Sequence, residues 1–133
     1  MKAEPINLSK YFNWPNKAAK DKWWQNLAEE ISGQPGGKQI SWGLPFEMGH
    51  GKYRRVILLT KNISSASITV NSSATYLCFS HNWRMLPDAM ALSDPTEGLV
   101  IGEYELVFED GTNHIQPIRT RFEVDMFPGF APA

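Results

Sequence analysis

The chain has 133 residues, a formal net charge of −1, 42% hydrophobic residues and 20% charged residues, which suits one folded domain and excludes wholesale disorder. The single cysteine excludes an internal disulfide, and no run of Lys or Arg indicates a nucleic-acid partner. The opening MKAEPINLSKYF lacks the apolar core of a signal peptide, and no apolar window is long enough to span a bilayer, so we expect no membrane partner.

The first predicted element is a helix over about residues 17–31. Trp23, Leu27 and Ile31 recur every four residues, as one face of a helix requires. Gly33 suits the end of the helix, because glycine is the common residue just after a helical C-terminus. A long decorated loop is the alternative for this segment.

From Gln39 onward, short β-branched and alternating runs predict strands. The predicted strands are residues 39–42, 56–60, 67–70, 75–81, 99–109 and 115–124. Gly43, Pro45 and Gly49 are expected to interrupt regular structure after the first strand. The basic residues before the second strand, Lys52, Arg54 and Arg55, are interpreted as capping the start of that strand, and a small basic patch is the alternative.

The last two predicted strands form a hairpin around Asp110-Gly111, since Gly tolerates a positive φ. Alternation in the first of them places apolar side chains on one face and acidic ones on the other. The apolar set is Val100, Gly102, Tyr104, Leu106 and Phe108, and the acidic set is Glu103, Glu105 and Glu109. Several short strands separated by turns predict an all-β fold, an antiparallel two-sheet β-sandwich with a short N-terminal helical insertion.

The segment LCFSHNW, residues 77–83, gathers a cysteine, a serine and a histidine. In a strand, Cys78 and Ser80 share one face while His81 lies on the other, so His81 does not activate either nucleophile. No GxSxG turn surrounds the serine. We interpret the segment as a scaffold strand in which the core and packed residues are Leu77, Phe79 and Cys78.

The sequence gives little support for a metal site or for another kind of catalytic site. The histidines are scattered and no HExxH or CxxC motif occurs, so we predict neither a metal site nor a cofactor. Asp88, Asp94 and Glu97 in a long loop leave a structural calcium ion open as an alternative to a solvated loop. Glu103 and Glu105 have the spacing of about 7 Å that glycosidase carboxylates use, but we interpret them as a solvated sheet face.

Binding is better supported than catalysis, because the chain has 5 Trp. Sugar rings stack on aromatic faces, while Asn and Arg side chains take the hydroxyl groups. Trp24, Trp42 and Trp83 lie at or beside predicted loops, and packing in the core is the alternative for any of them. The predicted ligand-binding residues are Trp42, Trp83, Asn82, Arg84 and His81.

Four segments occur in an order that resembles a known family across nearly the whole chain. They are INLSKYFN, Gly43-Leu44-Pro45-Phe46, YLCFSH and GEYELVFEDGTNHIQPI. The order is similar to that of galactose-binding-like jelly-roll domains, which lie beside catalytic domains in bacterial carbohydrate-active enzymes. Such domains are generally non-catalytic, and many bind carbohydrate through loops at one end of the sandwich. The matching segments are strands and turns, so the resemblance carries no ligand residues across.

The resemblance implies a non-catalytic accessory module that binds carbohydrate or supports an adjacent glycan-processing domain. The alternatives are a structural or protein-interaction module, and a small hydrolase that uses Glu103 with Glu105 or Ser80 with His81. The ending FPGFAPA, residues 127–133, is typical of an interdomain linker, so we expect one domain over residues 1–126. The compartment stays open between the cytoplasm and a module cut from a longer exported protein.

Overall fold

The computed structural model describes residues 2–17, 20–84, 98–120 and 122–124. The chain divides into two compact units, Met1–Ser73 and Ala74–Ala133. The described elements are a 3-10 turn at Ser9–Tyr11, α1 at Lys22–Ser32, β1 at Gly37–Ser41, β2 at Leu44–Met48, β3 at Val100–Val107 and β4 at Asn113–Arg119. The strands form two small antiparallel sheets, β1 with β2 and β3 with β4, so the predicted β-rich class with little helix is confirmed.

Helix α1 confirms the predicted helix but begins later than expected. The Asp21 carboxylate accepts a hydrogen bond of 2.8 Å from the Trp23 backbone N–H and so caps the N-terminus. At the other end, the Gly33 N–H donates to the Glu29 carbonyl at 2.9 Å. Leu27 is the buried residue of the helix. A side-chain cap therefore fixes the N-terminus, which apolar periodicity alone does not locate.

The core of the first unit is built around tryptophan. Trp14 is buried and packs edge-on against Trp24, with 5.7 Å between the ring centroids. Trp24 in turn packs edge-on against Trp23 at 4.9 Å. The Trp14 backbone pairs with that of Val56, whose N–H donates to the Trp14 carbonyl at 2.9 Å. Trp24 is thus a packing residue within α1 and does not lie on a loop.

The first hairpin, β1–β2, extends further than the sequence predicted. The pairs run from Gly37 with Met48 to Ser41 with Leu44, so the prediction that Pro45 interrupts regular structure is wrong. Pairs along an antiparallel ladder alternate between hydrogen-bonded and non-hydrogen-bonded ones. Pro45 occupies the position next to the turn-closing pair, where its missing N–H faces the open edge of a two-stranded ribbon.

Three predicted strands, residues 56–60, 67–70 and 75–81, do not form as strands in the described part of the chain. At residues 56–60 the backbone pairing with Trp14 stops after the isolated bridge at Val56, and a side chain takes over from there. The Asn13 amide accepts from the Leu58 N–H at 2.7 Å and donates to the Leu58 carbonyl at 3.0 Å. β-branched composition makes a segment fit a strand, but only a hydrogen-bonded neighbour makes it one.

In the second unit, the second hairpin, β3–β4, confirms the predicted strand pair with shorter bounds. Tyr104 and Leu106 are half-buried while Glu103 and Glu105 are exposed, so the predicted alternation holds in the middle of β3. The turn follows the Asp110-Gly111 signal. Gly111 has a φ of 86°, and the Asp110 carboxylate accepts from the backbone N–H and hydroxyl of Thr112.

Strand β4 ends at Arg119, before the predicted bound at Val124. Thr120 is buried, and its backbone N–H donates to the Leu99 carbonyl at 2.9 Å. The chain then turns, because the Arg119 N–H donates to the Glu123 carboxylate at 2.8 Å. The buried Val124 returns beside Thr120 in an isolated bridge.

Three residues expected to be packed are not buried. Leu77 is 38% exposed, Phe79 is 47% exposed, and Cys78 is exposed. The prediction of a buried central strand here is wrong, because residues 75–81 form no strand and these three side chains are accessible. Residues 127–133 lie outside the described residues, and the single domain over residues 1–126 stays a prediction. No helix in the described ranges has the length and apolar character to cross a membrane.

Candidate functional site

Trp42 stands at the tip of the first hairpin. Trp42 and Gly43 have φ values of 53° and 75°, the signature of a type I′ turn, which suits the twist of the flanking strands. Its side chain is 97% exposed. A left-handed conformation costs a residue with a Cβ about 1–2 kcal/mol. The turn therefore holds an exposed indole at a position where Asn or Gly would fold more readily.

The apolar surface continues along this hairpin. Ile40, which pairs with Pro45 in the ladder, is 79% exposed. Together with Trp42 it makes the end of the first hairpin apolar. The turn of the second hairpin has polar residues at Asp110 and Thr112 but is flanked by the exposed Val107 and Phe108. Large apolar side chains exposed together are a feature of ligand and partner contacts.

His81, a predicted ligand-binding residue, is engaged inside the second unit. Its Nε2 lies within hydrogen-bonding distance of the Glu123 carbonyl, and its Nδ1 lies 2.7 Å from the Tyr104 hydroxyl. A carbonyl only accepts, so Nε2 carries a proton, and in the neutral ring Nδ1 accepts from Tyr104. Burial raises the pKa of the Tyr104 phenol above its usual value of 10.0, which favours this donor. With both nitrogens occupied, His81 has a packing role.

Tyr104 also carries a stack of aromatic rings. Phe79 lies over Tyr104 with 3.9 Å between centroids and 20° between planes, and His81 stacks at 5.7 Å from Tyr104. Phe79 and His81 therefore have a packing partner, the Tyr104 ring, although Phe79 is still 47% exposed. This cluster of three rings attaches the segment to β3.

The other predicted binding residues in this unit differ in exposure. Asn82 is exposed, while Trp83 and Arg84 are half-buried. The Trp83 indole N–H is buried and has no hydrogen-bond partner among the described residues. Trp83 is therefore less open to a ligand than Trp42. The five predicted residues are divided between the units, with Trp42 in the first and the others in the second, and their binding role stays a prediction.

The first unit also holds a cationic cleft, of which the sequence offered only a small basic patch as an alternative. Arg55 is 6% exposed, and its guanidinium donates to the carbonyls of Ser32, Gln34 and Gly51 at 2.8, 2.7 and 3.1 Å. Two of these carbonyls lie at the C-terminal end of α1, where the helix dipole favours a cation. A buried charge without an opposite charge still costs several kcal/mol.

Glycines bring the backbone close to Arg55. A Cβ on Gly49 would lie 2.7 Å from the Arg55 Cα, and a Cβ on Gly36 would lie 2.7 Å from the His50 Cβ. Real Cβ atoms do not approach so closely, so this packing at the open end of the first hairpin requires glycine at both positions. The Arg55 N–H further donates to the Trp14 carbonyl at 2.8 Å.

We call the resulting open cavity the Arg55 cleft. Its volume is about 470 Å³ and it is lined by Ser32, Gln34, Gly36, His50, Gly51, Lys52 and Arg55. We interpreted Lys52 and Arg55 in the sequence as the start of a strand, and Val56 makes only an isolated bridge. The signal that could have found the cleft is the run GHGKYRR, which places a histidine and three cations among glycines.

The hydrolase alternative gains no support from the positions of its candidate residues. Glu103 and Glu105 lie on an exposed strand face, and Glu105 accepts from the Asn113 amide at 3.1 Å. Ser80 is exposed, and His81 is held by Tyr104. Within the described ranges no group of three His, Cys, Asp or Glu side chains could hold a metal ion. The calcium candidates Asp88, Asp94 and Glu97 lie outside the described residues.

Comparisons with models of protein families, with curated proteins and with solved structures found no match. Function is therefore argued from the residues and their geometry.

Proposed function

We propose that the chain is a non-catalytic accessory module that binds carbohydrate through Trp42 at the tip of the first hairpin. The observation that carries the proposal is the 97% exposure of this indole at a φ of 53°. A hairpin turn gains nothing in folding from tryptophan at this position, so a contact made by the ring accounts best for its presence. Sugar C–H faces fit such a flat apolar platform.

The strength of this contact can be bounded. Covering about 100 Å² of the indole face contributes about 2.5 kcal/mol at about 25 cal/mol per Å². A dissociation constant of 1 mM corresponds to about 4.1 kcal/mol. Stacking on Trp42 alone therefore predicts weak binding to one sugar, and polyvalent glycans are the right probes because avidity strengthens weak contacts.

We also propose a more specific fold, a galactose-binding-like jelly-roll sandwich. The module would then support an adjacent glycan-processing domain of a longer protein. What supports this part of the proposal is the closing hairpin of the resemblance, since the segment GEYELVFEDGTNHIQPI pairs as β3 with β4. The tip of a hairpin is also a suitable place for a ligand contact, since loops on a rigid scaffold commonly carry binding residues.

A glycan array probed with the chain and with Trp42 variants tests this function. Trp42→Asn removes the ring and suits a positive φ, so loss of signal cannot be ascribed to a damaged turn. Trp42→Tyr keeps an aromatic face and should retain part of the signal. Absence of array signal for the parent chain, or equal signals for the parent and Trp42→Asn, would contradict carbohydrate binding through Trp42.

A second candidate is a protein-interaction module, favoured by the 79% exposure of Ile40 beside the hairpin tip. A protein partner would cover Ile40 and Trp42 together, whereas a sugar needs only the ring. Sedimentation velocity across concentrations tests the simplest case, association of two copies. Ile40→Thr should then abolish association and leave the glycan array unchanged; a concentration-independent monomer contradicts self-association.

A further inference from the structure

We propose that the Arg55 cleft binds an oxyanion group, the chemistry shared by carboxylate, sulfate and phosphate. The inference goes beyond carbohydrate stacking on Trp42 and stands without it. It begins with the buried charge of Arg55. All three hydrogen bonds of its terminal nitrogens go to neutral carbonyls, and the described residues place no carboxylate within ion-pair distance of the guanidinium.

One donor of Arg55 is left over. The Nε–H is buried and has no hydrogen-bond partner in the described part of the chain. Buried donors are nearly always paired, so the unpaired Nε–H leaves this guanidinium incompletely satisfied. Arg55 also lines the cleft, where an oxyanion would supply the negative charge that the guanidinium lacks.

The remaining lining of the cleft has the same preference. Lys52 adds a second cation and His50 adds a ring nitrogen, whereas none of the lining residues is Asp or Glu. Lys52 lies 5.6 Å from the centroid of the Tyr53 ring, a contact that keeps its charge. A cationic lining on a chain with a net charge of −1 is a local property of this cleft.

The two walls of the cleft are joined by Arg55. One wall is the end of α1 and the other is the open end of the first hairpin. Arg55 packs against Gly49 and donates to the carbonyls of Ser32 and Gln34. Preorganised donors bind with less loss of conformational entropy. The competing explanation is that Arg55 serves only to fasten the end of α1.

Side-chain NMR separates these explanations. The Arg55 Nε–H signal, assigned by its absence in Arg55→Lys, is followed while sodium sulfate replaces sodium chloride at constant ionic strength. We expect a saturable shift, with sulfate binding weakened about threefold in Lys52→Gln because one nearby charge is lost. Lys38→Gln on β1, outside the cleft lining, is the matched control and should leave the affinity unchanged.

If Arg55→Lys does not fold, the His50→Gln and Lys52→Gln variants carry the test, because both residues are exposed. A flat titration, the same shift in chloride, or equal weakening in Lys52→Gln and Lys38→Gln would overturn the proposal. Parallel titrations with acetate, phosphate and glucuronate distinguish an acidic sugar from a free inorganic anion as the source of the oxyanion.

Failure of this proposal is distinguishable from failure of carbohydrate stacking. The cleft lies at the open end of the first hairpin, four residue steps and about 13 Å from the turn. Trp42→Asn should therefore leave the sulfate titration unchanged. An altered titration in that variant would show that the shift does not report on the Arg55 cleft.

Discussion

The two hairpins of this protein use aromatic residues in opposite ways. The first hairpin carries Trp42 in its turn, exposed and in a left-handed conformation. The second has a polar turn at Asp110 and Thr112 and keeps Tyr104 on a strand face, stacked on Phe79. An aromatic residue in a strand serves packing, whereas one in a tight turn is free for a ligand.

The two hairpins also differ in how closely other atoms approach their glycines. Gly49 at the open end of the first hairpin has Arg55 backbone atoms against it, while Gly102 in the second meets only the Ile118 side chain at 3.8 Å. The first hairpin is therefore fastened at its base and exposed at its tip. Substitutions at matched positions of the two hairpins test this difference.

The largest effect is expected from Gly49→Ala. Its Cβ would meet backbone atoms that cannot rotate away, so we expect a loss of about 3 kcal/mol in the free energy of unfolding. Gly102→Ala is the control, expected within about 1 kcal/mol of the parent because 3.8 Å is an ordinary contact. Urea denaturation monitored by tryptophan fluorescence measures both. Equal midpoints for the two variants would contradict the tight base of the first hairpin.

Tyr104→Phe tests the inward-facing cluster of the second hairpin. It removes the donor to His81 Nδ1, and leaving a half-buried acceptor unpaired costs about 1 kcal/mol in stability. Burial raises the pKa of Tyr104, so its contribution is fully present below pH 10 and is lost as pH rises through the folded value. Absorbance of tyrosinate should show one phenol titrating after the others, absent in Tyr104→Phe. A parent chain without this late phase contradicts the cluster.

Trp42→Asn should raise the free energy of unfolding, unlike the two substitutions above. Asn adopts positive φ more readily than Trp, so we expect a gain of about 0.5 kcal/mol. Gly111→Ala in the second turn, where φ is 86°, should lose about 1 kcal/mol. Thermal melts of the two variants compare the turns. A loss of stability in Trp42→Asn would mean that the indole packs in the first unit.

The smallest effect concerns the pH dependence of the second unit. Arg119 donates to both carboxylate oxygens of Glu123, which lowers the pKa of that carboxyl below its usual value of 4.5. A lowered folded pKa gives stability that is present above the usual value and is lost as pH falls through the folded one. Melting points between pH 6 and pH 3 should fall less steeply in Glu123→Gln. Identical slopes would contradict the ion pair.

Local patterns in the sequence predicted the helix and the closing hairpin, because their signals are contiguous. Trp23 and Leu27 mark a helix face, and Asp110-Gly111 marks a turn. The strand at residues 56–60 could not be excluded from sequence, since its neighbours proved to be an isolated bridge with Trp14 and the side chain of Asn13, both far away along the chain. Pairing over such distances leaves no periodic signal.

The candidate site shows the same limit. Trp42 was predicted from composition, and its exposure follows from the adjacent Gly43. His81 was predicted for the same reason, yet Tyr104 and Glu123 occupy its ring nitrogens. The sequence offered Arg55 only as part of an alternative basic patch, because its partners are carbonyls, which every residue carries and no sequence pattern distinguishes.

Affinity electrophoresis through gels that contain polysaccharide tests the central claim most directly, that the outward aromatic of the first hairpin makes the contact. Parent chain, Trp42→Asn and Tyr104→Phe are compared on each glycan retained in the array. We predict that the parent and Tyr104→Phe are retarded equally while Trp42→Asn migrates as in a gel without glycan. Retardation that survives Trp42→Asn and is lost in Tyr104→Phe would contradict the account.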